Sequence, residues 1–231
     1  MQMRRCLLIL IVLLVSVSKA QAGIIVSFGT SAPNPMTAGG SGLIDVFLKT
    51  DGGNQLLDGF NVQIGITGGP AGGLIFSSTQ TEGQLADASY VFFSKSLSQN
   101  TSTSIGAVSG GGSLYTGFDA TDDGTGPPPA FGNPDPITLT TTNQLLYRLN
   151  LSAITAGLYT IDVNPLADPS FFTDQLDPLN TGIAFTSTPG SITVNSAAAV
   201  PEPSSIAMLC VAGIGASIVR LRRRILAKRR A

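Results

Sequence analysis

"GFNVQIGIT", residues 59–67, is the stretch whose reading decides the fold. Phe60, Val62, Ile64 and Ile66 alternate with Asn61, Gln63 and Gly65, a period of two that places the apolar side chains on one face of an extended strand. A helix would scatter the same four around its circumference, so the stretch predicts a half-buried β-strand. Similar runs return every ten to twenty residues, separated by Gly, Pro, Asn and Asp. "IIVSF" at 24–28 and "GLIDVFL" at 42–48 precede it; "LIFSS" at 74–78, "SYVFFS" at 89–94, "TSIGAVS" at 103–109 and "SLYTGFD" at 113–119 follow. "LLYRLNLSA" at 145–153, "LYTIDV" at 158–163, "GIAFTS" at 182–187 and "GSITVN" at 190–195 complete the series. No convincing helical period occurs before residue 200. Many short strands joined by turns, in a chain long enough for one ordinary domain, predict an all-β protein with a β-sandwich over residues 23–195.

Composition agrees with this and narrows the chemistry. Gly (27) and Pro (14) are abundant, charged residues make up 12%, and Trp and His are absent. Without His there is no imidazole base, no Ser-His-Asp arrangement and no imidazole metal ligand. Both cysteines, Cys6 and Cys210, lie in apolar terminal segments, so residues 23–199 have no thiol nucleophile, thiolate zinc site or disulfide. The expectation is a non-enzymatic protein, the alternative being a hydrolase that works with paired carboxylates. Residues 23–199 carry Lys49, Lys95 and Arg148 against thirteen Asp and Glu, which excludes the basic face that nucleic-acid binding needs.

Ten of the thirteen basic residues sit at the two ends. "MQMRR", then the apolar run "CLLILIVLLVSV", then Ala20 and Ala22 at the −3 and −1 positions before Gly23, is the order of a secretory signal peptide over residues 1–22. It implies the export translocon and signal peptidase as partners. At the other end an apolar stretch at 204–219 is followed by Arg220, Arg222, Arg223, Arg224, Lys228, Arg229 and Arg230. Sixteen residues make roughly 24 Å of helix at about 1.5 Å each, short of a hydrocarbon core of about 30 Å but able to span it with local thinning and snorkelling. The cluster at 220–231 would stay cytoplasmic and leave the body of the protein outside. Residues 196–199 form a linker, and Val200, Pro201, Glu202 and Pro203 form a segment that two prolines hold extended.

Motif, short apolar helix and Arg-rich end stand in that order over residues 200–231, which closely resemble the PEP-CTERM sorting tail of exported bacterial proteins. The resemblance implies that exosortase, a membrane-embedded cysteine protease, reads Val200 to Pro203, while the basic cluster stalls export. It implies passage through the inner membrane by way of the C-terminal helix, then delivery to the cell surface, outer membrane or extracellular matrix. Residues 24–195 resemble, more loosely, the cohesin-like jelly roll, a relative of carbohydrate-binding modules. The "GLIDVFLKT" and "LDGFNVQIGI" strands, the late pair "LLYRLNLSAITAGLYTIDV" and the closing "PGSITVN" carry that likeness. It implies a structural or adhesive sandwich, or a binding module for a dockerin-type protein or an extracellular polysaccharide.

Within the middle, "DATDDGTGPPPA" at 119–130 places Asp119, Thr121 and Asp123 at positions 1, 3 and 5 of a calcium-type loop with Gly124 at position 6. Position 12 is Ala130 where a bidentate Glu would close the shell, so calcium is at most a degenerate site and no other cofactor is expected. Residues 124–136 carry five prolines and predict a stiff surface excursion. "SGGGS" at 109–113 lacks the Lys of a phosphate loop and predicts a flexible turn. Tyr147 and Tyr159 lie in strand runs and are expected to pack inward.

Overall fold

The computed structural model describes residues 22–32, 34–125, 134–164, 170–174 and 182–198. Among these the chain forms fourteen strands and one short α-helix: β1 (Ile24–Ala32), β2 (Met36–Thr37), β3 (Ser41–Thr50), β4 (Gln55–Leu57), β5 (Gly59–Thr67), β6 (Leu74–Phe76), α1 (Leu97–Thr101), β7 (Gly106–Ser109), β8 (Leu114–Ala120), β9 (Ile137–Leu139), β10 (Gln144–Ala153), β11 (Gly157–Val163), β12 (Phe171–Thr173), β13 (Phe185–Thr188) and β14 (Gly190–Asn195). One sheet runs β13-β1-β3-β10-β6 and the other β2-β14-β11-β5-β8-β7, with β12 also against β5 and with β4 and β9 paired separately. The chain is all-β, and the two sheets enclose one core. It divides after Ser196; beyond that point only residues 197 and 198 are described.

The deciding stretch becomes β5, with the bounds its alternation predicts. Phe60, Val62 and Ile64 are buried, and so are Ile44, Val46 and Leu48 of β3 and Leu149 and Leu151 of β10. In β10 three consecutive residues, Leu145, Leu146 and Tyr147, are all buried. Strict alternation cannot achieve that, and the register against β3 shifts between Leu145 and Tyr147, the mark of a bulge. At Pro189 the chain leaves one sheet for the other, β13 pairing with β1 and β14 with β11. A residue without an N–H suits such a crossover.

An aromatic file runs through the core. Phe92 stacks on Phe60 at 5.4 Å, Phe60 meets Tyr147 edge-on at 5.6 Å, and Tyr147 meets Tyr115 edge-on at 5.2 Å. Gly117 makes room for it, since a Cβ there would lie 2.5 Å from the Tyr147 hydroxyl oxygen. All four tyrosines of the chain are buried, at 3% exposure or less. Inward packing of Tyr147 and Tyr159 is therefore as expected.

Residues 89–94 differ from expectation. They are turns joined to β10 by a single bridge at Tyr90 and Leu145. Asp87 Oδ1 accepts hydrogen bonds from the Ser89 N–H and hydroxyl, and Phe93 N–H then donates to the Tyr90 carbonyl. Its apolar character suggests an extended run, yet Tyr90, Val91 and Phe92 are buried in succession, which a half-buried strand does not allow. The helix α1 went unread because five residues are too few to show a period.

The two outer faces are unlike. Over the first sheet, Arg148 Nε and Nη2 donate to Asp45 at 2.9 and 3.3 Å, and Nη1 donates to Asp87 at 3.1 Å. Asp45 hydrogen-bonding raises the Arg148 pKa, and the Ser89 hydrogen bonds lower that of Asp87. Gln80 both donates to the Asn150 carbonyl and accepts from its N–H, and Gln84 accepts from the Arg148 N–H. Side chains thus occupy backbone groups of β10 that a further strand would otherwise seek.

Candidate binding face

The calcium expectation fell on Asp119, Thr121 and Asp123, at the end of β8 and just beyond it. The structure gives the three separate partners. Asp119 is fully buried. Its Oδ2 accepts from the Tyr90 and Ser96 hydroxyls, both at 2.6 Å, and its Oδ1 from the N–H of Ser98 at 3.1 Å and of Ala120 at 2.9 Å. Ser96 in turn caps α1 by accepting from the Gln99 N–H. Thr121 Oγ1 accepts from the Asp135 N–H, and Asp123 Oδ1 from the N–H and hydroxyl of Thr125. Asp119 is thus the hub that fastens α1 and the Tyr90 turn to β8. Burial and then the Asp119 charge hold the Tyr90 pKa well above its ordinary value, and burial does the same for Tyr115 and Tyr147. Among the described residues no group of three or more His, Cys, Asp or Glu is placed to hold a metal.

The second sheet offers a different kind of site, which sequence reading missed. Phe172, Phe60 and Asp119 form one cross-strand row and are all buried. The next row, Phe171 on β12, Asn61 on β5 and Phe118 on β8, is in register and must point the other way. Phe118 is 52% and Phe171 36% exposed, with Asn61 between them. Among the described residues the Asn61 carboxamide has no hydrogen-bond partner. One row further along, Gln63 donates to Thr116 Oγ1 at 2.8 Å and accepts from Asn164 Nδ2 at 2.6 Å, so that amide is locked. Of the outward-facing strand residues on this sheet, Asp162 alone is charged. The alternation of β5 already turned Asn61 outward; which residues lie beside it depends on a register of strands distant in sequence.

At the N-terminal end, Ala20 lies outside the described residues, whereas Ala22 and Gly23 lie within them. Gly23 N–H donates to Asp51 Oδ1 at 2.9 Å, and the Gly23 carbonyl accepts from the Asp51 N–H. The Val200–Pro203 motif, the apolar stretch 204–219 and the basic cluster Arg220–Arg230 lie outside the described residues. Among the described residues no helix is long and apolar enough to cross a membrane.

Fold and tail together define a β-sandwich protein that carries a sorting signal. The PEP-CTERM protein-sorting motif matches residues 199–224, which implies an exported protein that exosortase directs to the cell surface. No curated protein matches the chain. Among solved structures, the chain is similar to the seventh ScaB type I cohesin of Pseudobacteroides cellulosolvens, at 13% identity over 78% of this chain and 97% of that one, with a TM-score of 0.48. It is also similar to a cohesin module from a Clostridium perfringens family 33 glycoside hydrolase, at 8% identity over 77% and 100%, with a TM-score of 0.47. A third likeness is to a non-cellulosomal cohesin from the archaeon Archaeoglobus fulgidus, at 8% identity over 82% and 98%, with a TM-score of 0.40. No residue role follows from likenesses so distant.

Proposed function

We propose that this is a non-enzymatic protein of the cell surface or extracellular matrix, with a structural or adhesive β-sandwich over residues 23–195. In this reading signal peptidase cleaves after Ala22, the helix at 204–219 holds the protein briefly in the inner membrane, and exosortase reads Val200, Pro201, Glu202 and Pro203. The sorting-motif match at residues 199–224 carries the reading. Cleavage before Gly23 would leave an ammonium group beside the Asp51 carboxylate, so the start of the sandwich suits a processed end. The test follows a tagged protein in wild-type cells and in cells lacking exosortase. The expected result is a shortened, surface-delivered protein in the first and a longer, membrane-retained one in the second. Identical size and location in both would overturn the reading.

The exposed row of Phe171, Asn61 and Phe118 favours a second reading, a binding module with one specific partner, whether a dockerin-type protein or a polysaccharide. Capture on dockerin-bearing proteins and on extracellular polymer separates these partners.

A further inference from the structure

The row Phe171–Asn61–Phe118 combines three features that stability does not require. Two phenyl rings stand partly in water, a carboxamide between them has no partner among the described residues, and all three sit on strands rather than loops. β12 and β8 flank β5 on either side, so the two Phe backbones are about 10 Å apart, twice the strand spacing. Two linked pyranose rings, puckered chairs with broad C–H faces, are of this scale. Their C–H faces suit aromatic rings, and their hydroxyls, each both donor and acceptor, suit a carboxamide that is also both. Among the described strand residues that face outward on this sheet there is no cation and one carboxylate, Asp162, so these strands lack the charge complement an anionic polymer needs.

We infer that this row is a binding site for a neutral polysaccharide, with sugar rings laid on Phe118 and Phe171 and their hydroxyls held by Asn61. The inference rests on reading the sandwich as an extracellular binding module and names the ligand of this row. Gln63, locked by Thr116 and Asn164, borders the site and keeps that part of the face fixed.

The experiment uses the full chain purified in detergent. Its mobility is measured in native gels containing neutral polymers (glucan, mannan, galactan) or anionic ones (alginate, hyaluronan). Wild type should be retarded by at least one neutral polymer. Asn61→Ala and Phe118→Ala should each weaken that retardation about fivefold or more, as the loss of one or two directed contacts does. Leu158→Ala, which alters another exposed apolar residue of the same sheet, should leave retardation unchanged, and circular dichroism should show every variant folded. Four results would overturn the inference: no neutral polymer retards the protein, only anionic polymers do, Leu158→Ala weakens binding as much as the row variants, or sedimentation shows a dimer that Phe118→Ala dissociates. Export and tail processing are scored separately in cells, so a failure of the sorting reading is distinguishable from a failure of this one.

Discussion

Replacing Asp119 by Ala removes the acceptor for two hydroxyl and two N–H donors at one end of the sandwich. The Ser96 hydroxyl keeps the Gln99 N–H as a donor to it but loses the atom it donates to. Tyr90 and Ser96 are buried at 3% and 0% exposure, so water does not readily replace the carboxylate. Each stranded buried donor costs about 1–3 kcal/mol. With rotation of the hydroxyls recovering part of that, the substitution should cost about 4 kcal/mol, a large share of the roughly 5–15 kcal/mol a domain has. At about 2–4 °C per kcal/mol for a chain of this size, the thermal midpoint should fall by roughly 8–16 °C. Tyr90→Phe removes one donor to a charged acceptor and strands no donor, so it should cost about 2 kcal/mol, less than Asp119→Ala. Urea unfolding followed by far-ultraviolet circular dichroism, with and without millimolar calcium, measures both variants. If Asp119 is a hub, calcium leaves the wild-type midpoint unchanged; a resident ion would raise it with concentration. An Asp119→Ala variant within about 1 kcal/mol of wild type, or a calcium-dependent gain that this variant loses, would refute the reasoning.

Two further outcomes are expected. Tyr90, Tyr115 and Tyr147 are held neutral by burial and have raised pKa values. Above pH about 10 the unfolded chain releases their protons and the folded one does not, so stability should fall by about 4 kcal/mol per pH unit. Tyrosinate absorbance should then rise together with the loss of the strand signal; reversible titration near pH 10 with the sheets intact would contradict it. Asp51→Asn should destabilise protein that begins at Gly23 by up to about 1 kcal/mol, the scale of an exposed ion pair. It should affect the unprocessed chain less, and equal losses in the two forms, measured by urea midpoints, would show that Asp51 does not hold the new end.

The strands that alternate, or that end at Gly and Pro, were legible in the sequence. β5 and β14 were predicted with the bounds they have. What failed was context. β4, β9 and β12 are three residues each, too short to show a period, and the strand expected at 89–94 is apolar because it plugs the core end as a turn. Position counting aligned Asp119, Thr121 and Asp123 as ligands along the chain. β8 turns Asp119 inward while Thr121 and Asp123 lie in the connection beyond, and the calcium titration above decides whether they hold an ion. Asn61 was correctly turned outward by its neighbours Phe60 and Val62. Its placement between Phe118 and Phe171 required pairings across 57 and 110 residues, which a single strand pattern does not encode.

The two faces of the sandwich bear on what the protein was shaped to do. Single exposed apolar residues are ordinary and need no cause. Phe118 and Phe171 differ because they flank one unpaired carboxamide in one row of a rigid sheet. At 52% exposure, Phe118 realises only part of the roughly 1.5–3 kcal/mol that full burial of a large apolar side chain contributes. Thr has comparable strand propensity and would leave the fold nearly as stable. On the opposite sheet, Arg148, Asp45, Gln80 and Gln84 are each tied to a partner. Two rings in one row of the second sheet, with a carboxamide between them that has no partner among the described residues, suit the contact outside the chain proposed for them.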